Sequence, residues 1–413
     1  MTSEAEAAQP IRTASLDDKW TVGSGRILIN GTQAIARVLL AQSAIDTRNG
    51  LNTAGYISGY RGSPLGNVDT TLWSIADRLK AAKIVFQPGL NEDIAATAIR
   101  GTQQIEAVPG PQYDGVFAAW YGKGPGVDRS GDALKHGNYG GAHRHGGVAI
   151  FYGDDHAGKS STIAHHSEQA IAASMIPSLY PANAAEILEY GLIAYAMSRY
   201  SGSWVGVKCV TDVVEQTASV DIALPDFDPI LPPYPELPPE GVHCQVGSFA
   251  PLREEQIVAD HRLPLVQRFV RANRIDRATF RSASPRLAIV TAGKSYADTR
   301  QAIELLGLDD VTASRLGISL YKIGCIWPIE PQGIAEFAKG HETILVIEEK
   351  KDFIEAQVAA ILFNLPERPR LIGKRDEDGA HLFSSSMPLE PIGIALAIAD
   401  RLSRLGIDDA GVR

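Results

Sequence analysis

The sequence predicts a two-domain α/β protein built on mostly parallel sheets, and three observations carry that expectation. At 413 residues the chain is too long for one ordinary hydrophobic core. Short apolar runs of strand length alternate with helical patterns through most of it. Between the halves lies a proline-dense stretch, with Pro225, Pro229, Pro232, Pro233, Pro235, Pro238 and Pro239. Proline at that density continues neither a helix nor a central strand, so the stretch reads as an extended linker.

Residues 1–19 are polar and rich in alanine and glutamate, and are expected to be disordered. After Asn30-Gly31, the residues Ile35, Val38 and Leu39 recur at helical spacing and predict a helix. Strands are predicted at 52–58, 84–87, 115–121, 147–152 and 205–210, with helices at 92–104 and 186–199. A polar helical stretch at 254–277 follows the linker. The second domain then alternates strands at 287–293, 318–323 and 343–348 with helices at 296–306, after Pro331, and at 353–362. The expected limits are a first domain at 20–224, linker and helix at 225–285, a smaller second domain at 286–405 and a tail at 406–413.

Composition narrows the function classes. Hydrophobic residues at 45% and charged residues at 21% fit a soluble globular protein. A net charge of -9 argues against a nucleic-acid binder, which needs clustered Lys and Arg to neutralise phosphates. No apolar run approaches the roughly 20 residues that span a bilayer, and the acidic start is unlike a signal peptide. A cytoplasmic location is therefore expected. Only Cys209, Cys244 and Cys325 occur, with no close pair. A cubane iron–sulfur cluster needs about four thiolates, so none is expected on this chain, nor is a disulfide framework.

The most informative stretch is the turn Ile57-Ser58-Gly59-Tyr60-Arg61-Gly62-Ser63-Pro64, followed a helix and a strand later by Asn91-Glu92. Gly62 lets the backbone bend, and Ser63-Pro64 fits a helix start, with Ser63 as cap and Pro64 in the first turn. The same geometry could instead point Ser63 and nearby N–H groups at a ligand carboxylate. Glu92 likewise reads as an acidic residue favoured at a helix start after an Asn91 cap. Its position just beyond a strand is also where ligands gather in open α/β sheets.

A third cluster, residues 122–168, is glycine-rich and holds six of the ten histidines: His136, His143, His145, His156, His165 and His166. Their spacing matches no standard zinc pattern, and a set of substrate-facing loops is expected here. Asp154 follows an apolar strand and is a candidate cofactor contact on that ground. Gly122-Lys123-Gly124-Pro125-Gly126 lacks the spacing of a nucleotide loop, and Ala292-Gly293-Lys294-Ser295 lacks the upstream glycine of one. The latter reads as a strand-to-helix turn.

At these residues the chain resembles the 2-oxoacid:ferredoxin oxidoreductases, most closely the long, fused bacterial indolepyruvate type. The likeness runs through 28–32, 55–72, 91–104, 128–168 and 207–220. The first domain is similar to the pyrimidine-type thiamine-diphosphate-binding domain of that family, and the second to a transketolase C-terminal domain. The resemblance implies thiamine diphosphate held between two domains, with this chain on the aminopyrimidine side. Glu92 would then be the catalytic carboxyl group, bonded to the pyrimidine ring. Ser63, Arg61 and Arg129 would contact substrate, and Gly62, Pro64 and Asn91 the cofactor. The reaction implied is oxidative decarboxylation of a 2-oxo acid to acyl-CoA, with ferredoxin as electron acceptor.

The chain departs from the family in having no GDG-type diphosphate and Mg²⁺ motif and no cluster cysteines. The expected partners are therefore a diphosphate-binding domain or subunit, a gamma-type domain or subunit, ferredoxin and coenzyme A. Mg²⁺ and any [4Fe-4S] clusters would lie outside this chain, and the complete unit would dimerise. The β-type chain of a 2-oxoacid dehydrogenase E1 component, or a non-catalytic assembly subunit of the same fold, are the alternatives.

Overall fold

The computed structural model describes residues 14–158, 163–245 and 250–407. Its strands are β1 (Ser24–Asn30), β2 (Thr53–Gly59), β3 (Ile84–Phe86), β4 (Gly115–Lys123), β5 (Val148–Asp154), β6 (Ser178–Leu179), β7 (Val205–Val210), β8 (Thr217–Ala223), β9 (Arg277–Phe280), β10 (Leu287–Ala292), β11 (Ile318–Ile323), β12 (Cys325–Trp327), β13 (Thr343–Ile347) and β14 (Arg370–Ile372). They form a seven-stranded sheet, β12-β6-β7-β5-β4-β2-β3, and a five-stranded sheet, β14-β13-β10-β11-β9. Each is parallel apart from one edge strand, β12 or β9. A separate antiparallel pair joins β1 to β8. The central strands β5, β7, β10, β11 and β13 are buried along their whole length, as parallel strands covered by helices on both faces must be.

Several elements differ from expectation. The first long helix runs Gly31–Arg48, because Asn30 and Gln33 form a reciprocal capping box at its start. A short helix, Asp18–Thr21, overlaps the stretch expected to be disordered; residues 1–13 and 408–413 lie outside the described residues. Ser63 is not a helix cap. The Ser63–Pro64 peptide is cis, Leu65 N–H bonds the Gly62 carbonyl at 2.7 Å, and the helix starts only at Val68. The polar stretch breaks into Pro251–Ile257, a π turn at Val258–Arg262 and Leu263–Ala272. Pro264 has no N–H to give to the preceding turn, and the π turn sits just there.

The proline-dense segment carries no helix or strand over 227–238, yet it is strapped to the first unit. Arg48 bonds the Pro225 and Phe227 carbonyls at 2.7 and 3.0 Å. The Tyr234 ring stacks on Tyr200 at 4.9 Å.

The second unit also lends a strand to the first. β12 pairs with β6, and Asp276 holds it by accepting the Gly324 and Cys325 N–H groups at 2.8 Å each on one oxygen. Burial pushes the Asp276 carboxyl up to about 7, against those two bonds. The Glu330 backbone N–H also favours the charged form, and the second oxygen has no hydrogen bond of normal geometry among the described residues. A carboxyl group raised in the native state gives its full stability below the unfolded value and loses it as pH rises through about 7. Asp276→Asn keeps the accepting oxygen and removes the charge. In urea unfolding its stability relative to the parent is expected to rise by about 2–3 kcal/mol from pH 5 to pH 8. An equal pH slope in both proteins would refute this.

Candidate functional site

Three strand ends converge on Glu92. Gly89 N–H bonds the Gly59 carbonyl at 2.9 Å, and Tyr60 N–H bonds the Tyr121 carbonyl at 3.1 Å. These bonds seat the turn after β2 between the loop after β3 and the end of β4. Glu92 opens the helix Glu92–Thr102, with Asn91 as cap accepting the Ile94 N–H at 2.9 Å. The Trp120 indole N–H holds the Glu92 carbonyl at 3.0 Å. The Glu92 residue is only 8% exposed. Among the described residues no side chain forms a hydrogen bond or ion pair with its carboxyl group.

The floor beneath that carboxyl group is glycine. A β-carbon at Gly126 would lie 2.7 Å from Cγ and Oε1 of Glu92. This explains a correction: the glycine-rich segment is not a set of loops but begins with one helix, Gly124–Gly140, running straight from β4. Its glycines serve close approach. Gly137 meets the Trp204 indole and Gly124 meets His165, as Gly126 meets Glu92. The histidines scatter instead of converging: His143 approaches Glu106 at 3.3 Å and His165 approaches Asp128 at 3.4 Å.

The structure brings some of the expected residues together and disperses others. A β-carbon at Gly62 would lie 2.6 Å from the Lys123 stem, and one at Gly153 would lie 2.9 Å from Pro64. The Gly62–Pro64 turn therefore lies across the ends of β4 and β5, with Ser63 half-buried and Arg61 exposed. Below Arg61, the Tyr121 hydroxyl donates to Asp69 at 2.5 Å, and burial raises the Tyr121 phenol. Arg129 is exposed and bonded to Asp93 at 2.7 Å, tying the helices that begin at Gly124 and Glu92. Asp154 is fully buried. Its two oxygens accept the Ser167 N–H and hydroxyl at 2.7 and 2.6 Å.

Asp154 belongs to a polar cluster between the two units. Lys208, on β7, reaches Glu168 at 2.7 Å and Asp154 at 3.7 Å, and lies over the Tyr180 ring. Burial would lower the Lys208 ammonium, but Glu168 and Asp154 outweigh it and raise it. From the second unit, Glu349 bonds His156, and Lys294 bonds Glu349 at 3.0 Å. Burial opposes ionisation of Glu349, yet His156 and Lys294 hold it down to about 2. Sequence reasoning missed Lys208, Glu168 and Glu349. A lysine inside the apolar run 205–210 and a Glu-Glu doublet straight after the apolar run 343–347 were the available signals.

The rim of the Glu92 site is apolar and open. Leu90 is 85% exposed and Ile94 51%, and Tyr60, at the end of β2, is also exposed. A nearly buried acid ringed by uncovered apolar side chains is a surface that gains by being covered.

Residues 277–413 match a family model described as the indolepyruvate oxidoreductase domain. The indolepyruvate oxidoreductase subunit IorA of Methanothermobacter marburgensis is 24% identical over 347 residues, covering 84% of this chain and 50% of that protein. Its namesake in Pyrococcus abyssi is 24% identical over 368 residues, covering 86% and 50%. The chain thus spans about half the length of the curated relatives it matches. Among solved structures, 2-oxoglutarate:ferredoxin oxidoreductase from Magnetococcus marinus superposes with a TM-score of 0.67 at 12% identity, over 92% of this chain and 66% of that one. A split-gene transketolase, an inactive β4 tetramer, gives 0.52 at 13% identity, over 91% and 98%.

Proposed function

We propose, from the premise that this chain is a member of the 2-oxoacid:ferredoxin oxidoreductase family, that it supplies the aminopyrimidine wall of a thiamine diphosphate site completed by another domain or subunit. The observation that carries the reading is Glu92: a nearly buried carboxyl group at a helix mouth, without a side-chain partner, under an open apolar rim. These residues fit a flat heterocycle with a basic ring nitrogen. The carboxyl group would take the nitrogen, and Leu90 and Ile94 would meet the ring's apolar surroundings or the covering domain. When bound, thiamine diphosphate supplies a nucleophilic carbon and an electron sink. Glu92 would hold the proton shared with the ring nitrogen in a site from which the covering domain excludes water. The Gly62–Pro64 turn would present Ser63 and Arg61 to the substrate carboxylate. Arg129 would contribute only by exchanging Asp93 for that carboxylate. The substrate would be indolepyruvate or another aryl or branched-chain 2-oxo acid.

The test is turnover of the complete enzyme containing this chain. With thiamine diphosphate, Mg²⁺ and coenzyme A, indolepyruvate should reduce ferredoxin and yield the acyl-CoA. Reduction through a lipoyl domain in place of ferredoxin would assign the chain to the E1-type alternative.

The glycine under Glu92 offers a more local check. Gly126→Ala suits a helix better than glycine by about 1 kcal/mol, so the fold should hold. The added methyl group must displace the Glu92 carboxyl group, and kcat is expected to fall about tenfold to a hundredfold. Unchanged kcat in a folded Gly126→Ala enzyme would argue against Glu92 as the working group.

A further inference from the structure

A second candidate site lies at the other end of the seven-stranded sheet. On the helix Gly31–Arg48, the residues Arg37, Leu40, Ala41, Ala44, Ile45 and Arg48 recur at spacings of three and four and share one stripe. That stripe walls an open cavity of about 590 Å³, lined also by Trp20, Arg78 and Leu224 among others. Arg48 and Ala82 line it just before β2 and β3 begin, whereas Gly59 and Glu92 stand where those strands have ended. The cavity is therefore separate from the site at Glu92.

Its walls are mostly apolar, but three arginines, Arg37, Arg48 and Arg78, line it. Arg37 is 6% exposed. It donates to the Trp20 and Val22 carbonyls, and its Nε has no partner among the described residues. No carboxylate among the described residues pairs with it. Among the described residues Arg48 likewise bonds backbone carbonyls alone, those of Leu224, Pro225 and Phe227. Of the three, Arg78 alone pairs with a carboxylate among the described residues, Asp17 at 3.2 Å, and that pair is largely exposed. Burial, followed by the nearby Arg78 charge, lowers Arg37 to about 10. A neutral amide could tie two carbonyls without such a cost. A buried cation with no counter-charge, beside a second cation and an apolar cavity, is a mismatch that an anion would relieve.

We propose that this cavity binds a small molecule with a carboxylate head on an apolar body. Arg37 and Arg78 would take the head, and Leu40, Ala44 and Leu224 the body. The site is independent of the reading at Glu92.

Calorimetric titration of the full chain with octanoate, and with octanol as its uncharged counterpart, tests this. Octanoate should bind saturably at one site, and octanol about tenfold or more weakly. Ala44 is exposed on the cavity wall, so Ala44→Phe should fill the space without disturbing the core and abolish octanoate binding. Arg78→Gln should weaken octanoate about tenfold and leave octanol unchanged. Equal affinity for both ligands, an unaltered isotherm in Ala44→Phe, or no saturable binding to the parent would each overturn the proposal.

Discussion

Replacing Glu92 by glutamine is expected to lower turnover of the complete enzyme by about a hundredfold or more while leaving the chain folded. The backbone contacts of Glu92 do not change in this substitution. Its carbonyl still accepts the Trp120 indole N–H at 3.0 Å, and the Asn91 cap still accepts the Ile94 N–H at 2.9 Å. The amide also has nearly the volume of the carboxyl group, so the close approach to Gly126 is kept. What is removed is the proton that Glu92 is proposed to share with the ring nitrogen. Kinetics and thermal unfolding together check this: kcat should collapse, with substrate KM and melting temperature near those of the parent. Full turnover in Glu92→Gln would leave the chain as an assembly subunit of the same fold.

Lys208→Met is expected to cost about 3–5 kcal/mol of stability at pH 8, because it strands two buried carboxylates. Methionine fills similar space but leaves Glu168 and Asp154 without the ammonium that stands 2.7 and 3.7 Å from them. The pH dependence identifies the cause. In the parent, burial pushes the Glu168 carboxyl up and Lys208 more than offsets it, so it ends below its usual value. Such a group lends stability above the unfolded carboxylate range, and this is lost only as pH falls through the lowered native value. In the variant burial is opposed only by the Glu168 backbone hydrogen bond and His156, and Glu168 can take up a proton instead of remaining a stranded charge. The deficit should therefore shrink from pH 8 to pH 5, where Lys208 stays charged in the parent. Urea unfolding at both pH values measures it. An equal deficit at the two would mean lost packing instead of stranded charge.

Legibility in the sequence followed the range of the forces involved. The alternating strands and helices, their parallel arrangement and the strand-end positions of Gly59 and Glu92 follow from local apolar periodicity and caps, and the structure shows them. Ser63 misled because a Ser-Pro pair satisfies the cap rule in isolation, while the turn Gly62–Leu65 delays the helix to Val68. The glycines of 124–140 misled for a related reason. Glycine signals either a loop or a close approach, and only the neighbours Glu92, Trp204 and His165 decide between them.

The sequence by itself determined the two-unit α/β class and the positions of the turn and of the helix mouth just beyond strand ends, since these rest on patterns within a few residues of chain. Tertiary structure alone decided that β12 crosses into the first sheet, that Asp154 turns inward to Ser167 and Lys208, and that Glu92 rests on glycine beneath an uncovered apolar rim. These depend on charges and surfaces brought together from distant parts of the chain. The cost of burying a charge is set by the neighbours the fold supplies, which no local pattern records.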